Sequence, residues 1–131
     1  WQVMPYLVGV GGTGKSLLLS VVSKLMAPGT VGNLSFKREE VFGLASLADK
    51  DVVIGRDMPA KLSAALPQEL MQMMTAGEEM EVSRKFGSAL QMTWRAPVVL
   101  SSNSMPDYVN AMSTWTTTCP VVLWCSSLIG Q

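Results

Sequence analysis

The sequence predicts an α/β protein with a central, mostly parallel sheet flanked by helices. Three observations predict it. Short, continuous apolar runs recur at Tyr6-Leu7-Val8, Val52-Val53-Ile54 and Val98-Val99-Leu100, as expected for strands covered on both faces. Segments of helical periodicity stand between those runs, and strands alternating with helices build a layered sheet. A glycine-rich stretch, Gly9-Val10-Gly11-Gly12-Thr13-Gly14-Lys15-Ser16, joins the first run to the first helical segment.

The elements follow in order. Trp1 to Val10 carries the first core strand, with Pro5 near its start, where a missing N–H does least harm. Ser16 to Met26 is predicted as a helix, and Leu18, Val21, Val22 and Leu25 recur at the spacing of a sheet-facing stripe. Pro28-Gly29 ends it. Thr30–Ser35 is expected to be a short strand, although Gly32 and Asn33 weaken it. Lys37 to Leu47 reads as a second helix, with Val41, Leu44 and Leu47 on its apolar side and Glu39 and Glu40 in its first turn. Asp51–Gly55 is the second clear strand. Leu66 to Thr75 is a helix with Pro67 in its first turn and Leu70, Met73 and Met74 on its buried face. Gly77 to Met92 is charged and partly alternating, and reads as an extended excursion or hairpin that leaves the sheet and returns. Ala96–Leu100 is the third strong strand and runs into Ser101-Ser102-Asn103. In the tail, Thr116-Thr117-Thr118 and Val121–Trp124 favour a strand.

The glycine-rich stretch fits G-x-x-x-x-G-K-[ST], the phosphate-binding loop, and it has the strand before it and the helix after it that the motif needs. Gly9, Gly11, Gly12, Thr13 and Gly14 let backbone N–H groups approach phosphate oxygens. The helix that follows points its N-terminus at the same anion. Lys15 can reach the outer phosphates, and the Ser16 hydroxyl can hold Mg2+. This reading implies Mg-ATP as the cofactor pair.

Such a loop needs an acidic partner at the carboxyl end of a neighbouring strand. Asp57 follows Val52–Arg56 directly and is the candidate, as metal ligand and catalytic carboxylate, while Asp49 and Asp51 lie at the wrong end of that strand. A loop-capping role is the plainer alternative. Arg56 stands where a second acid would help to activate water; it can pair with Asp57 or point to the other face of the strand. Asn103 ends the third strand, where an amide can orient an attacking water; the plainer alternative is a turn residue in Asn-Ser-Met-Pro. Arg84 and Lys85 lie in the charged excursion, where a solvated hairpin is the alternative to a nucleotide or nucleic-acid contact. Trp94 is expected in the core or at a rim.

Composition narrows the classes. The 131 residues suit one domain. The chain starts at Trp1 and ends at Gln131 in an apolar region, so it reads as a fragment of a longer protein. Ten basic residues balance ten acidic ones, which makes no case for a strongly basic nucleic-acid surface. There is no histidine, hence no imidazole base or ligand. Cys119 and Cys125 lack a second pair, which argues against a zinc site. No apolar stretch reaches membrane-spanning length.

The four motifs in this order resemble the ATPase core of superfamily-three helicases, especially the primase-helicases of large DNA viruses, phages and plasmids. Gly9–Ser16 is similar to that family's Walker A motif. Val52-Val53-Ile54-Gly55-Arg56-Asp57-Met58-Pro59 is similar to its Walker B strand. Gly77 to Lys85 resembles the extra motif that ends in a lysine and leads to a DNA-contacting hairpin, here within 77–95. Val98 to Pro106 resembles the sensor motif, with Asn103 in the sensor role. The resemblance covers about Tyr6 to Tyr108. It implies a P-loop NTPase of AAA+ type spanning 1–131, an ATP hydrolase that unwinds DNA in replication, and a homo-hexameric ring with single-stranded DNA in its channel. It also implies an intracellular place in a viral, phage or plasmid replication complex, away from membranes. Lys15, Asp57 and Asn103 would be catalytic, Ser16 and Asp57 would hold the metal, and Lys85 would belong either to the γ-phosphate environment or to the hairpin.

Two departures stand out. Arg56 replaces the first acid of the usual pair, and no arginine follows Arg95, where the family expects a finger acting across the subunit boundary. The competing readings are a non-catalytic or weakly catalytic nucleotide-binding and oligomerisation module, and a small-molecule P-loop kinase. A kinase usually carries a lid with several arginines, and no such signature is present.

Overall fold

The computed structural model describes residues 4–35, 44–66, 68–82, 89–105 and 121–125. The elements are β1 (Met4–Val8), α1 (Lys15–Leu25), β2 (Val31–Leu34), a 3-10 turn (Leu44–Ser46), β3 (Val52–Gly55), α2 (Leu62–Ala65), α3 (Gln68–Ala76), β4 (Glu79–Val82), β5 (Leu90–Thr93), β6 (Val98–Ser102) and β7 (Val121–Cys125). Five strands form one sheet in the order β2-β3-β6-β1-β7. Every pairing in it is parallel. β4 and β5 make a separate antiparallel pair, Glu79 opposite Thr93 and Val82 opposite Leu90, so the charged excursion is a hairpin with strands of its own. The chain is thus a small α/β protein with a parallel sheet flanked by helices.

Strand alternation divides the core in two. Met4, Tyr6 and Val8 of β1, Val53 of β3 and Val98 and Leu100 of β6 face one layer, where they pack with Leu62, Leu66, Met71, Met74 and Trp94. Leu7, Val52 and Ile54 face the other, where Leu19 is fully buried and Val22, Met26, Val31 and Val99 close around it. Both faces of the central strands are covered, which is why those strands read as continuous apolar runs rather than as alternation.

Three expectations change. The buried side of α1 is Leu19 with Val22 and Met26, which keeps Val22 of the predicted stripe but not its other three residues. Leu18, Val21 and Leu25 are 42%, 47% and 77% exposed. The helix is turned by about one residue, ~100°, from the predicted orientation. Its sequence is apolar at Leu17, Leu18, Leu19, Val21, Val22, Leu25 and Met26, so periodicity alone offers several faces. Leu44–Ser46 is a 3-10 turn where the end of a helix is predicted; residues 37–43 lie outside the described ones. The third predicted helix is preceded by a separate short one, α2. The chain becomes extended at Leu66 (φ −133°, ψ 98°) before α3 begins at Gln68, as expected of a residue that precedes a proline.

One glycine is set by close packing. A Cβ on Gly55 would stand 2.5 Å from Leu100 Cδ2 and 3.0 Å from Met58 Cε. Gly55 pairs with Leu100 across the β3–β6 ladder, so the missing side chain lets Leu100 fill the space over β3. Gly55→Ala is expected to cost about 1–3 kcal/mol through overpacking. Urea unfolding should show a lower midpoint with an unchanged slope, and an unchanged midpoint would mean that Leu100 and Met58 repack freely.

Candidate functional site

The glycine-rich loop leaves β1 and turns into α1 through two left-handed residues, Gly12 and Gly14, both at φ 84°. Open space surrounds the position of a Cβ at Gly11, Gly12 and Gly14. Glycine at 12 and 14 is therefore a matter of backbone conformation, not of crowding. Gly14 is the N-cap of α1 and supplies no side-chain cap, and no acidic residue occupies the first turn. The first N–H groups of α1 are left without a side-chain acceptor and carry the positive end of the helix dipole. That arrangement suits an anion.

Lys15 folds across the loop. Its Nζ donates to Gly9 O at 2.5 Å, to Val10 O at 2.8 Å and to Thr13 Oγ1 at 3.2 Å. Thr13 Oγ1 in turn donates to Val10 O at 2.9 Å. Three loop oxygens thus hold the ammonium at the mouth of the loop, beside the uncapped amides. Ser16 is exposed in the first turn of α1, and its carbonyl accepts from Ser20 Oγ at 2.8 Å.

The strand order brings the other candidates to the same edge. β6 lies between β1 and β3, and all three run in one direction. At their carboxyl ends the backbone ladder continues past the strands. Gly9 N–H donates to Ser102 O at 3.3 Å on one side of β6, and Met58 N–H donates to Ser101 O at 2.8 Å on the other. The start of the glycine-rich loop and the turn after β3 thus flank the segment that ends in Asn103. Asp57 and Asn103 are both exposed there. Asp57 is the one non-glycine residue with positive φ, 52°, among the described residues. The left-handed region costs most L-residues about 1–2 kcal/mol, and aspartate tolerates it better than most.

Ser102 escapes a motif-based reading. It is 1% exposed, and its hydroxyl joins the two turns. Oγ donates to Met58 O at 3.1 Å and accepts from Ser104 N–H at 3.2 Å. The one signal in the sequence is a hydroxyl pair, Ser101-Ser102, closing an apolar strand. Lys85 and Arg84 lie outside the described residues, so the structure does not place them against this edge. Arg56 is exposed beside Asp57. Among the described residues no group of three acidic or cysteine side chains clusters as a metal cage. A hydroxyl and a single carboxylate still fit Mg2+, which binds through one or two carboxylates with substrate phosphates and waters.

Fold and edge together define an α/β protein of P-loop-like architecture. The chain belongs to the family of unknown function DUF5906, which matches residues 7–114. No curated protein matches the sequence. Among solved structures it is similar to the apo A form of the NrS-1 C-terminal region. One such structure has a TM-score of 0.62 at 18% identity, covering 99% of this chain and 30% of that one. A second, of residues 305–718, has a TM-score of 0.56 at 16% identity, covering 79% of this chain and 24% of that one. The chain thus spans less than a third of the length of these relatives, and the likeness is one of fold.

Proposed function

We propose that this chain is the ATPase core of a superfamily-three type DNA helicase, an AAA+ protein that couples Mg-ATP hydrolysis to strand separation during replication. The observation that carries the reading is the strand order. With β6 between β1 and β3, the loop Gly9–Ser16, Asp57 and Asn103 sit at the carboxyl ends of three adjacent parallel strands. Ligands of open α/β sheets bind at that edge.

Each residue then has a task. The amides of Gly11, Gly12, Thr13 and Gly14 bind the phosphate chain, with the N-terminus of α1 behind them. Lys15 neutralises charge that develops on the β- and γ-phosphates as the terminal bond breaks. Ser16 and Asp57 hold Mg2+, which when bound neutralises phosphate charge. Asn103 orients the attacking water through its amide. Lys85 serves the γ-phosphate or the DNA-facing hairpin of 77–95. The protein works as a ring, a homo-hexamer, with single-stranded DNA in the channel, inside the cell in a viral, phage or plasmid replication complex.

A specific observation favours a second reading, a nucleotide-binding and assembly module with weak turnover or none. Arg56 precedes Asp57, and residues 96–131 contain no arginine or lysine. A finger arginine is worth about 10^3–10^5 in turnover. The test is Mg-dependent ATP turnover of the full-length protein, with and without single-stranded DNA, beside Arg56→Asp. Turnover stimulated by DNA supports the motor. If nucleotide binds without turnover and Arg56→Asp raises hydrolysis by ~10-fold or more, the cation has silenced a site that the fold retained. No nucleotide binding by either protein removes both readings.

A further inference from the structure

We infer that Ser102 is a positioning residue that locks the turn bearing Asp57 to the turn bearing Asn103. The inference rests on the nucleotide-hydrolysing reading for its consequence, but the lock itself is a matter of geometry.

The two candidate polar groups stand on different strands, β3 and β6, and both are exposed. Neither is held by burial of its own side chain. What fixes their separation is the backbone behind them. Met58 N–H donates to Ser101 O at 2.8 Å, which ties the β3 turn to the strand end. Ser102 Oγ then donates its single proton to Met58 O at 3.1 Å and accepts from Ser104 N–H at 3.2 Å. A hydroxyl offers one donor and two acceptor positions, so one oxygen serves both turns. Met58 immediately follows Asp57, and Ser104 immediately follows Asn103. Each candidate is thus one residue from an atom that Ser102 holds.

Two features make the lock consequential. Asp57 sits at φ 52°, a conformation that persists where the surroundings over-determine it. Its neighbour Met58 is held by both its N–H and its C=O. The half of the bridge that reaches Met58 is also buried: Ser102 is 1% and Met58 5% exposed, while Ser104 is exposed. Water cannot readily replace the hydroxyl at Met58 O, and its removal leaves that carbonyl without this partner. Small displacements matter here, because catalytic groups need their productive geometry to within a fraction of an ångström. Ser102 has no contact with nucleotide or metal in this role. It acts through Asp57 and Asn103.

The test uses the full-length protein with Ser102→Ala and Ser102→Thr, the second keeping a hydroxyl. Hydrogen exchange of the peptides containing Met58 and Ser104 reads the lock directly, without any nucleotide. Ser102→Ala is expected to speed exchange in both peptides by ~10-fold or more, with peptides of β1 unchanged, and Ser102→Thr to restore slow exchange. The functional readout is ATP turnover beside nucleotide affinity in EDTA. The affinity should stay within about twofold, because the glycine-rich loop is untouched, while kcat falls ~10-fold or more and recovers with threonine. Unchanged exchange at Met58 in Ser102→Ala overturns the lock. Faster exchange with unchanged kcat overturns the positioning role. Faster exchange in a wild-type background that binds nucleotide but never turns it over leaves the lock standing and sinks the hydrolase reading. If Ser102→Ala exchanges faster in every peptide, including β1, Ser102 is a general packing residue and the inference is wrong.

Discussion

Lys15→Ala is expected to lower Mg-ATP turnover by ~10^2-fold or more, the scale seen when one preorganised charge-stabilising donor is removed. The structure gives the reason. The ammonium is held over the loop by Gly9 O, Val10 O and Thr13 Oγ1, so its position is set before any phosphate arrives. Alanine removes the charge and leaves those oxygens directed at the place where an anion would bind. Nucleotide affinity should fall as well. Stability should change little, because Lys15 is partly exposed and water can replace its ammonium at the loop oxygens. Lys15→Met, which keeps much of the length without the charge, should behave like alanine. Steady-state turnover and isothermal titration with Mg-ATP, beside a thermal melt, check all three points. Retention of more than a tenth of wild-type turnover would remove Lys15 from the site and weaken the phosphate-loop reading with it.

The largest expected effect on stability is at Trp94. The side chain is 2% exposed and packs in the same layer as Met4, Met74 and Val98. Its Nε1 donates to Ala96 O at 2.5 Å. It follows β5 directly, so it fastens the return of the β4–β5 hairpin to the sheet. Trp94 also helps to line a cleft of about 420 Å³, together with Met4, Met74, Thr75 and Arg95. Trp94→Ala would enlarge that space instead of letting it collapse. A loss of about 3–5 kcal/mol is expected, within the range for aromatic-to-alanine changes in cores. Trp94→Phe keeps most of the apolar area but gives up the Nε1 hydrogen bond, so it should cost less, by amounts of order 1–3 kcal/mol for the carbonyl left without that donor. Chemical unfolding measures both. A Trp94→Ala midpoint equal to wild type would show that the hairpin does not depend on this anchor, and hydrogen exchange in β4 and β5 would locate what does.

The part of the site that was most legible in the sequence is the contiguous one. Gly9 to Ser16 announces itself because a phosphate loop needs particular residues at consecutive positions, and the left-handed turns at Gly12 and Gly14 answer that need. Asp57 and Asn103 were legible as strand-end polar residues. Their nearness was not, because it depends on β6 lying between β1 and β3, a pairing of segments far apart in the chain. Ser102 was legible only as a hydroxyl. Its bond from Ser104 N–H is local, two residues along the chain, but its bond to Met58 O forms only when β3 and β6 pair.

The sequence by itself therefore determined the strands that are apolar throughout, the turn chemistry of the loop and the excursion that forms β4 and β5. Those are local matters, settled by side-chain type and backbone preference within a few residues. Only the tertiary structure decided which side of α1 is buried, since a helix apolar around most of its circumference takes its orientation from the sheet beneath it, and Leu19 rather than Leu18 meets Leu7 and Ile54. It also decided the 3-10 turn at Leu44–Ser46, where packing overrides helical propensity. Above all it decided the strand order, because parallel strands pair through long crossovers that no local pattern encodes. That order assembles one edge from Lys15, Asp57, Ser102 and Asn103.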